Sequence, residues 1–122
     1  MLTLISEQCI ACRGDSPLAN RGEIKEMLPE IPNWSLIKEK GTQKLTRIFP
    51  FRKFKQALEF TQDIGLLAEH QGHHPRLITE WGSVTVLWWT HKIKGLHRND
   101  FIMAAKTDYV YHHMVIGSDQ TI

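Results

Sequence analysis

Three of the seven histidines in this 122-residue chain fall within AEHQGHHPRL, residues 68–77. His70 precedes the adjacent pair His73 and His74, Pro75 follows directly, and His91 stands further along the chain. A free imidazole titrates near pH ~6.5, so it can give or take a proton in neutral water. Several imidazoles around one pocket suit a reaction that needs an acid and a base side by side, and a dehydration is such a reaction. A zinc site is a second possibility, with His70, His73 and His74 at three- and four-residue spacing and His91 or Glu69 completing a tetrahedron. It is the weaker one, because Gly72 interrupts any common helix face and adjacent histidines diverge. The third is a helix ending. A histidine in a last turn meets free carbonyls and the negative end of the dipole, which by itself accounts for His70. His112 and His113, close to the C-terminus, read as solvated.

These residues must be positioned by the elements around them. In GDSPLANRGEIKEMLPEIPNW, Ser16 as N-cap and Pro17 at the first helical position open a short helix, with Leu18, Ile24, Met27 and Leu28 as its apolar stripe. WSLIKEKGTQKLTRIFPF alternates in the manner of two strands joined at Gly41. FRKFKQALEFTQDIGLLAEHQG carries apolar residues at helical spacing from Phe51 to Ala68 and ends at Gly72, a natural left-handed residue, with Pro75 forbidding continuation. RLITEWGSVTVLWWTHKIKG gives two more strands turning near Gly82, with His91 closing the return strand. A final helix in GLHRNDFIMAAKTDYVYHHM turns Phe101, Ala104, Ala105, Tyr109 and Val110 inward. The expected fold class is α+β, in the order αββαββα: a four-stranded, mainly antiparallel sheet with helices packed on one face. Trp88 or Trp89 exposed on an uncovered face would favour self-association.

A length of 122 residues suggests one domain spanning 1–122, with 1–15 an irregular leader. A formal net charge of +2 without a long Lys/Arg run gives no electrostatic footprint for nucleic acid. No apolar run reaches the ~20 residues of a membrane span. The N-terminus lacks a basic region and meets Glu7 too early for a signal peptide, so the expected location is the cytoplasm. Cys9 and Cys12 form a C-x-x-C without the strand-to-helix context of a redox motif or the further ligands of a structural zinc site.

Taken together, the chain resembles the pterin-4a-carbinolamine dehydratases. The pattern of that family is an acidic or polar residue, three positions, His, His or Asn, then Pro; an aromatic after five or six positions; His or Trp after nine; and Asp after eight or more. Glu69, His73, His74, Pro75, Trp81, His91 and Asp100 satisfy it with intervals of five, nine and eight. NWSL at Trp34, the helix FRKFKQALEFTQDIGLLAE and the leader CIACRGDSPL extend the similarity over nearly the whole chain. The resemblance implies homodimers or homotetramers and no metal or organic cofactor. It implies dehydration of 4a-hydroxytetrahydropterin, the product of aromatic amino-acid hydroxylases, to quinonoid dihydropterin. Carried over by position, His73, His74 and His91 become the active-site histidines. His73 and His91 would share the acid/base work, and His74 would bind and orient the pterin. Glu69, Asp100 and Trp81 become substrate-binding or supporting residues, Trp81 as pocket wall or core. Asp100 falls at the third position of the last helix, where it would cap that helix or hold a histidine. His97 stands where the family often has Ser or Thr as cap, which leaves the cap itself open. Animal members also act as coactivators of a homeodomain protein, so a regulatory protein-binding module of the same fold is the alternative function.

Overall fold

The computed structural model describes residues 4–10 and 14–119, and side chains as far as Met114. The elements are α1 (Arg21–Met27), β1 (Ser35–Glu39), β2 (Thr42–Pro50), α2 (Phe54–Gln71), β3 (Arg76–Glu80), β4 (Ser83–Trp88) and α3 (Arg98–Asp119). Short 3-10 turns lie at Leu4–Ser6, Leu28–Glu30 and His91–Ile93. The expected αββαββα order and α+β class hold, and every strand pair in the sheet β1-β2-β4-β3 is antiparallel.

Both hairpins turn where the sequence supplies residues able to take positive φ. Lys40 (φ 50°) and Gly41 (φ 82°) join β1 to β2, the pair of left-handed residues that matches the twist of a two-residue hairpin. Gly82 (φ 91°) does the same work between β3 and β4. Register then decides what is buried. Leu45 lies opposite Trp88, Arg47 opposite Val86 and Phe49 opposite Val84, with Leu77 of β3 on the far side of Val86. One-face alternation sends these side chains beneath α2 and α3, whereas Ile48, in the opposite phase of β2, is exposed. Phe49 centres the core, its ring 5.8 Å from Trp34 and 4.9 Å from both Phe60 and Tyr111. The indole N–H of Trp34 and the guanidinium of Arg47 both reach Oδ1 of Asp108, at 2.8 and 2.6 Å. Burial pushes the Asp108 carboxyl above the ordinary range despite these two donors, which pull the other way.

The structure departs from expectation at three places. The first helix starts at Arg21, not after Ser16: Asn20 accepts from the Glu23 N–H and the Glu23 side chain accepts from the Asn20 N–H. This reciprocal capping box satisfies two backbone donors, which Ser16–Pro17 cannot do. Leu18 therefore precedes the helix and lies against Gly95, so close that a Cβ on residue 95 would collide with it. Second, β4 stops at Trp88, so His91 does not close a strand. Thr90 and Gly95 bond each other's backbones at 2.8 and 3.4 Å, curling the chain through the His91–Ile93 turn and the left-handed Lys94. Third, Tyr109 is exposed rather than inward. Its ring packs on His113 one turn along α3 instead, with centroids 3.9 Å apart.

Truncating Phe49 to Ala should lower unfolding stability in urea by about 3–5 kcal/mol, because the cavity lies at the centre of the aromatic cluster. Gln43→Ala, on an exposed position of the same strand, should stay within about 0.5 kcal/mol.

Candidate active site

The histidine pair is delivered by the way α2 ends. Gly72 adopts φ 67° and donates to the carbonyls of Ala68 and Glu69, and the next N–H, of His73, reaches Ala68 at 3.1 Å. This left-handed closure reverses the chain at the helix end. It turns His73 inward, where it is buried, and leaves His74 exposed.

His73 is fixed on two sides. Its ring stacks on the indole of Trp88, with centroids 5.8 Å apart and an interplanar angle of 12°. Its Nε2 lies 2.6 Å from Oδ1 of Asp100. Asp100 is fully buried, and its other oxygen accepts the Thr90 hydroxyl at 2.8 Å and the His97 N–H at 2.9 Å. A carboxylate in ionised form only accepts, and facing one the ring would carry its proton on Nε2 and leave Nδ1 for other work. Asp100 thus both caps α3 and holds a histidine. His97 does what Ser or Thr does at a helix start: its Nδ1 accepts the Asn99 N–H at 3.1 Å.

His91 reaches the same place from the 3-10 turn after β4, its ring 4.3 Å from that of Trp89. On the sheet side, the Nζ of Lys44 sits 4.0 Å from the Trp89 ring, a cation–π contact that props the indole. His73, His74 and His91 line one cavity of about 300 Å³ together with Gly72, Thr90, Lys92, Asn99 and Ile10. The Glu69 side chain touches His74 of this group at 3.5 Å, between two exposed side chains, a pairing worth little in water. Trp81 does not join them. Instead of forming the expected pocket wall or core, it is 79% exposed in the β3–β4 turn, carried outward by the reversal at Gly82. His70 lies exposed in the last turn of α2, and among the described residues no three His, Cys, Asp or Glu side chains are grouped to hold a metal ion.

Thr90, Asn99 and Ile10 join the cavity without belonging to the sequence pattern. The first two are sequence neighbours of His91 and Asp100, and a polar residue beside a chemistry-bearing one is the only signal that points to them. A larger cavity, of about 430 Å³, borders Pro32, Arg47, Asp108 and Tyr109; there Arg47 is committed to Asp108, which also accepts the Trp34 indole N–H. Cys9 is half-buried, its Sγ 3.9 Å from the Asn99 carbonyl, and burial, with the Asp100 charge adding, pushes its thiol up to about 11. Cys12 lies outside the described residues.

Residues 17–110 match the family model described as pterin 4 alpha carbinolamine dehydratase. The chain belongs to that family. A relative in Nitrosococcus oceani named for pterin-4-alpha-carbinolamine dehydratase is 52% identical over 93% of this chain and its own full length. Another so named, in Syntrophotalea carbinolica, is 57% identical over 85% of this chain and 94% of its own. A solved structure of a transcriptional coactivator/pterin dehydratase from Brucella melitensis is 29% identical and superposes with a TM-score of 0.70 over 78% of this chain and 99% of that one. The pterin-4-alpha-carbinolamine dehydratases are hydro-lyases, and this chain is an enzyme of that class.

Replacing Asp100 by Ala should destabilise the protein by about 3 kcal/mol or more in chemical denaturation, since it strands three donors at a buried position. Asp100→Asn should cost less but disturb the His73 imidazole resonances by NMR. In a Cys12→Ser background, Cys9 should react with iodoacetamide at pH 8 at least about 100-fold more slowly than a free cysteine peptide, because so little of it is thiolate.

Proposed function

We propose that the protein dehydrates 4a-hydroxytetrahydropterin to quinonoid dihydropterin and water, with His73, His74 and His91 as its working side chains. The observation that carries this is the convergence of three imidazoles on one small cavity, one of them locked by a buried carboxylate. The reaction breaks the bond from C4a to its hydroxyl and removes the proton on N5. The hydroxyl leaves as water only if it receives a proton, and the N5 proton needs a base, so two groups in opposite protonation states must face one bicyclic substrate.

On this reading His73 and His91 divide the acid and base roles, and His74 binds and orients the pterin. His73 is supported in a proton-transferring role by its immobilisation: with Nε2 held on Asp100, its tautomer and ring plane are set before the substrate arrives. His91 and His74, both exposed at the mouth, are free to adjust to the substrate. Asp100 acts as the positioning residue of His73. Glu69 would support His74 within the same chain, and Trp81, exposed in the β3–β4 turn, would contribute to binding in an assembled homodimer or homotetramer. The substrate would come from an aromatic amino-acid hydroxylase in the cytoplasm, and the reaction itself calls for no metal or organic cofactor. Among the described residues no helix is long and apolar enough to cross a membrane. The coactivator name carried by the Brucella melitensis protein raises a second function, a regulatory protein-binding module. A pure scaffold, however, gives no reason for three imidazoles to converge on one cavity.

Enzymatically generated 4a-hydroxytetrahydropterin should disappear faster with the protein than without it, in the presence of chelator. His73→Ala and His91→Ala should each lower kcat by about 10²–10⁴-fold, His74→Ala should mainly raise KM, and His70→Ala should stay within about twofold. Normal turnover by a His74→Ala His91→Ala double variant would defeat the assignment.

A further inference from the structure

We propose that residues 7–10, which precede the family match at residue 17, form a working wall of the active site, with Ile10 as the apolar surface against which the flat substrate packs and Asn99 as the residue that positions Ile10. This deepens the proposed dehydratase reading and rests on it.

The rest of the cavity offers a bicyclic ring little aliphatic surface. Apart from Ile10, its lining among the described residues consists of three imidazoles, Thr90, Lys92, Asn99 and the glycine that ends α2. These groups can meet the polar edge and the reacting atoms of a pterin, but a planar heterocycle also has two faces that gain by leaving water. Ile10 supplies the aliphatic side chain in that lining, and it is 66% exposed. An exposed isoleucine ordinarily signifies nothing. This one is held in place by a side chain that is itself almost wholly buried.

Asn99 is 1% exposed, and its amide grips both polar groups of the Ile10 backbone: Oδ1 accepts the Ile10 N–H at 3.1 Å, and Nδ2 donates to the Ile10 carbonyl at 2.8 Å. A buried amide satisfied at both ends fixes its partner's position far better than a surface contact does. A second clamp lies one residue back, where Gln71, the last residue of α2, accepts the Cys9 N–H at 3.0 Å and donates to Gln8 at 3.1 Å. Glu7 is then tied to Arg98 through two hydrogen bonds, at 2.8 and 2.5 Å. The three residues that open α3 thus act together, with Arg98 holding Glu7, Asn99 holding Ile10 and Asp100 holding His73. The same helical turn sets the segment and the buried imidazole in one frame, so the apolar wall is positioned relative to His73.

The test compares the full-length protein with Ile10→Ala, Ile10→Leu and Asn99→Ala in steady-state turnover of 4a-hydroxytetrahydropterin, and in equilibrium binding of 7,8-dihydropterin followed by fluorescence. Ile10→Ala should raise KM and weaken dihydropterin binding by about tenfold while kcat stays within about twofold. Its melting temperature should not move, because the side chain is exposed. Ile10→Leu should restore most of the loss, and Asn99→Ala should reproduce the KM effect even where it also lowers the melting temperature. A segment that merely stabilises the fold would reduce the active fraction, and so apparent kcat, and leave KM alone. Unchanged KM and binding in Ile10→Ala, beside normal wild-type turnover, overturns the proposal and leaves the dehydratase reading standing. Absence of wild-type turnover overturns that reading instead, and the dihydropterin comparison then decides the wall by itself: a tenfold loss in Ile10→Ala supports it, and equal binding or no binding by either protein overturns it.

Discussion

The carboxylate of Asp100 is the point on which the arrangement of the site depends. It is fully buried and receives donors from three different parts of the chain: His73 just past the end of α2, Thr90 in the curl after β4, and the His97 N–H at the start of α3. A buried carboxylate is tolerable only when its oxygens are well supplied with donors, so losing any one of these segments from its place exposes the charge to an unfavourable environment. The three segments are therefore held to one another by a single group, and the histidine cavity is the space they leave between them.

The packing of His73 extends this constraint into the core. Its ring lies flat on Trp88, and the Trp88 indole N–H is held by Thr107 at 3.1 Å, with the Thr107 hydroxyl itself turned back to the Met103 carbonyl at 2.6 Å. Asp100 and Thr107 both belong to α3, so one helix holds the edge of the imidazole and the indole beneath its face. His73 is thereby almost immobile, whereas His74 and His91 stand in solvent. A site built this way has one fixed reference group and two adjustable ones, which suits a substrate whose two reacting positions are adjacent.

Much of this is legible in the sequence because it depends on local signals. The order of elements follows from periodicity and from Gly41, Gly72 and Gly82, each found at positive φ. The histidine pair draws attention by its residue types beside Pro75, the family resemblance singles out Asp100, and Asp100 can be placed at the third position of α3 with its two candidate duties. That it performs both at once depends on a loop and a helix end meeting in space, which no local pattern encodes. Ser16–Pro17 is a credible opening for α1 on local grounds, yet Asn20 and Glu23 are the residues that form the reciprocal bonds. His91 reads as part of a strand because alternation continues through Trp89. The Thr90–Gly95 pairing that ends the strand is not encoded in alternation. Trp81 shows the opposite error. A tryptophan in a motif suggests a wall, yet a turn that needs Gly82 left-handed throws its neighbour outward.

The fully buried Asp100 and the partly buried Asp108 show how one helix serves fold and chemistry at once. Asp108 collects Trp34 and Arg47 on a single oxygen, and burial still pushes its carboxyl upward, so the pair ties β2 to α3 at some cost in desolvation. Asp100 uses both oxygens, and each donor comes from a segment that borders the cavity. The difference lies in what each contact secures. At Asp108 a strand already held by sheet and core is pinned a second time. At Asp100 three separate segments, a helix end, a curl and a helix start, have their relative positions fixed by one carboxylate, and the cavity they border keeps its geometry through that shared group.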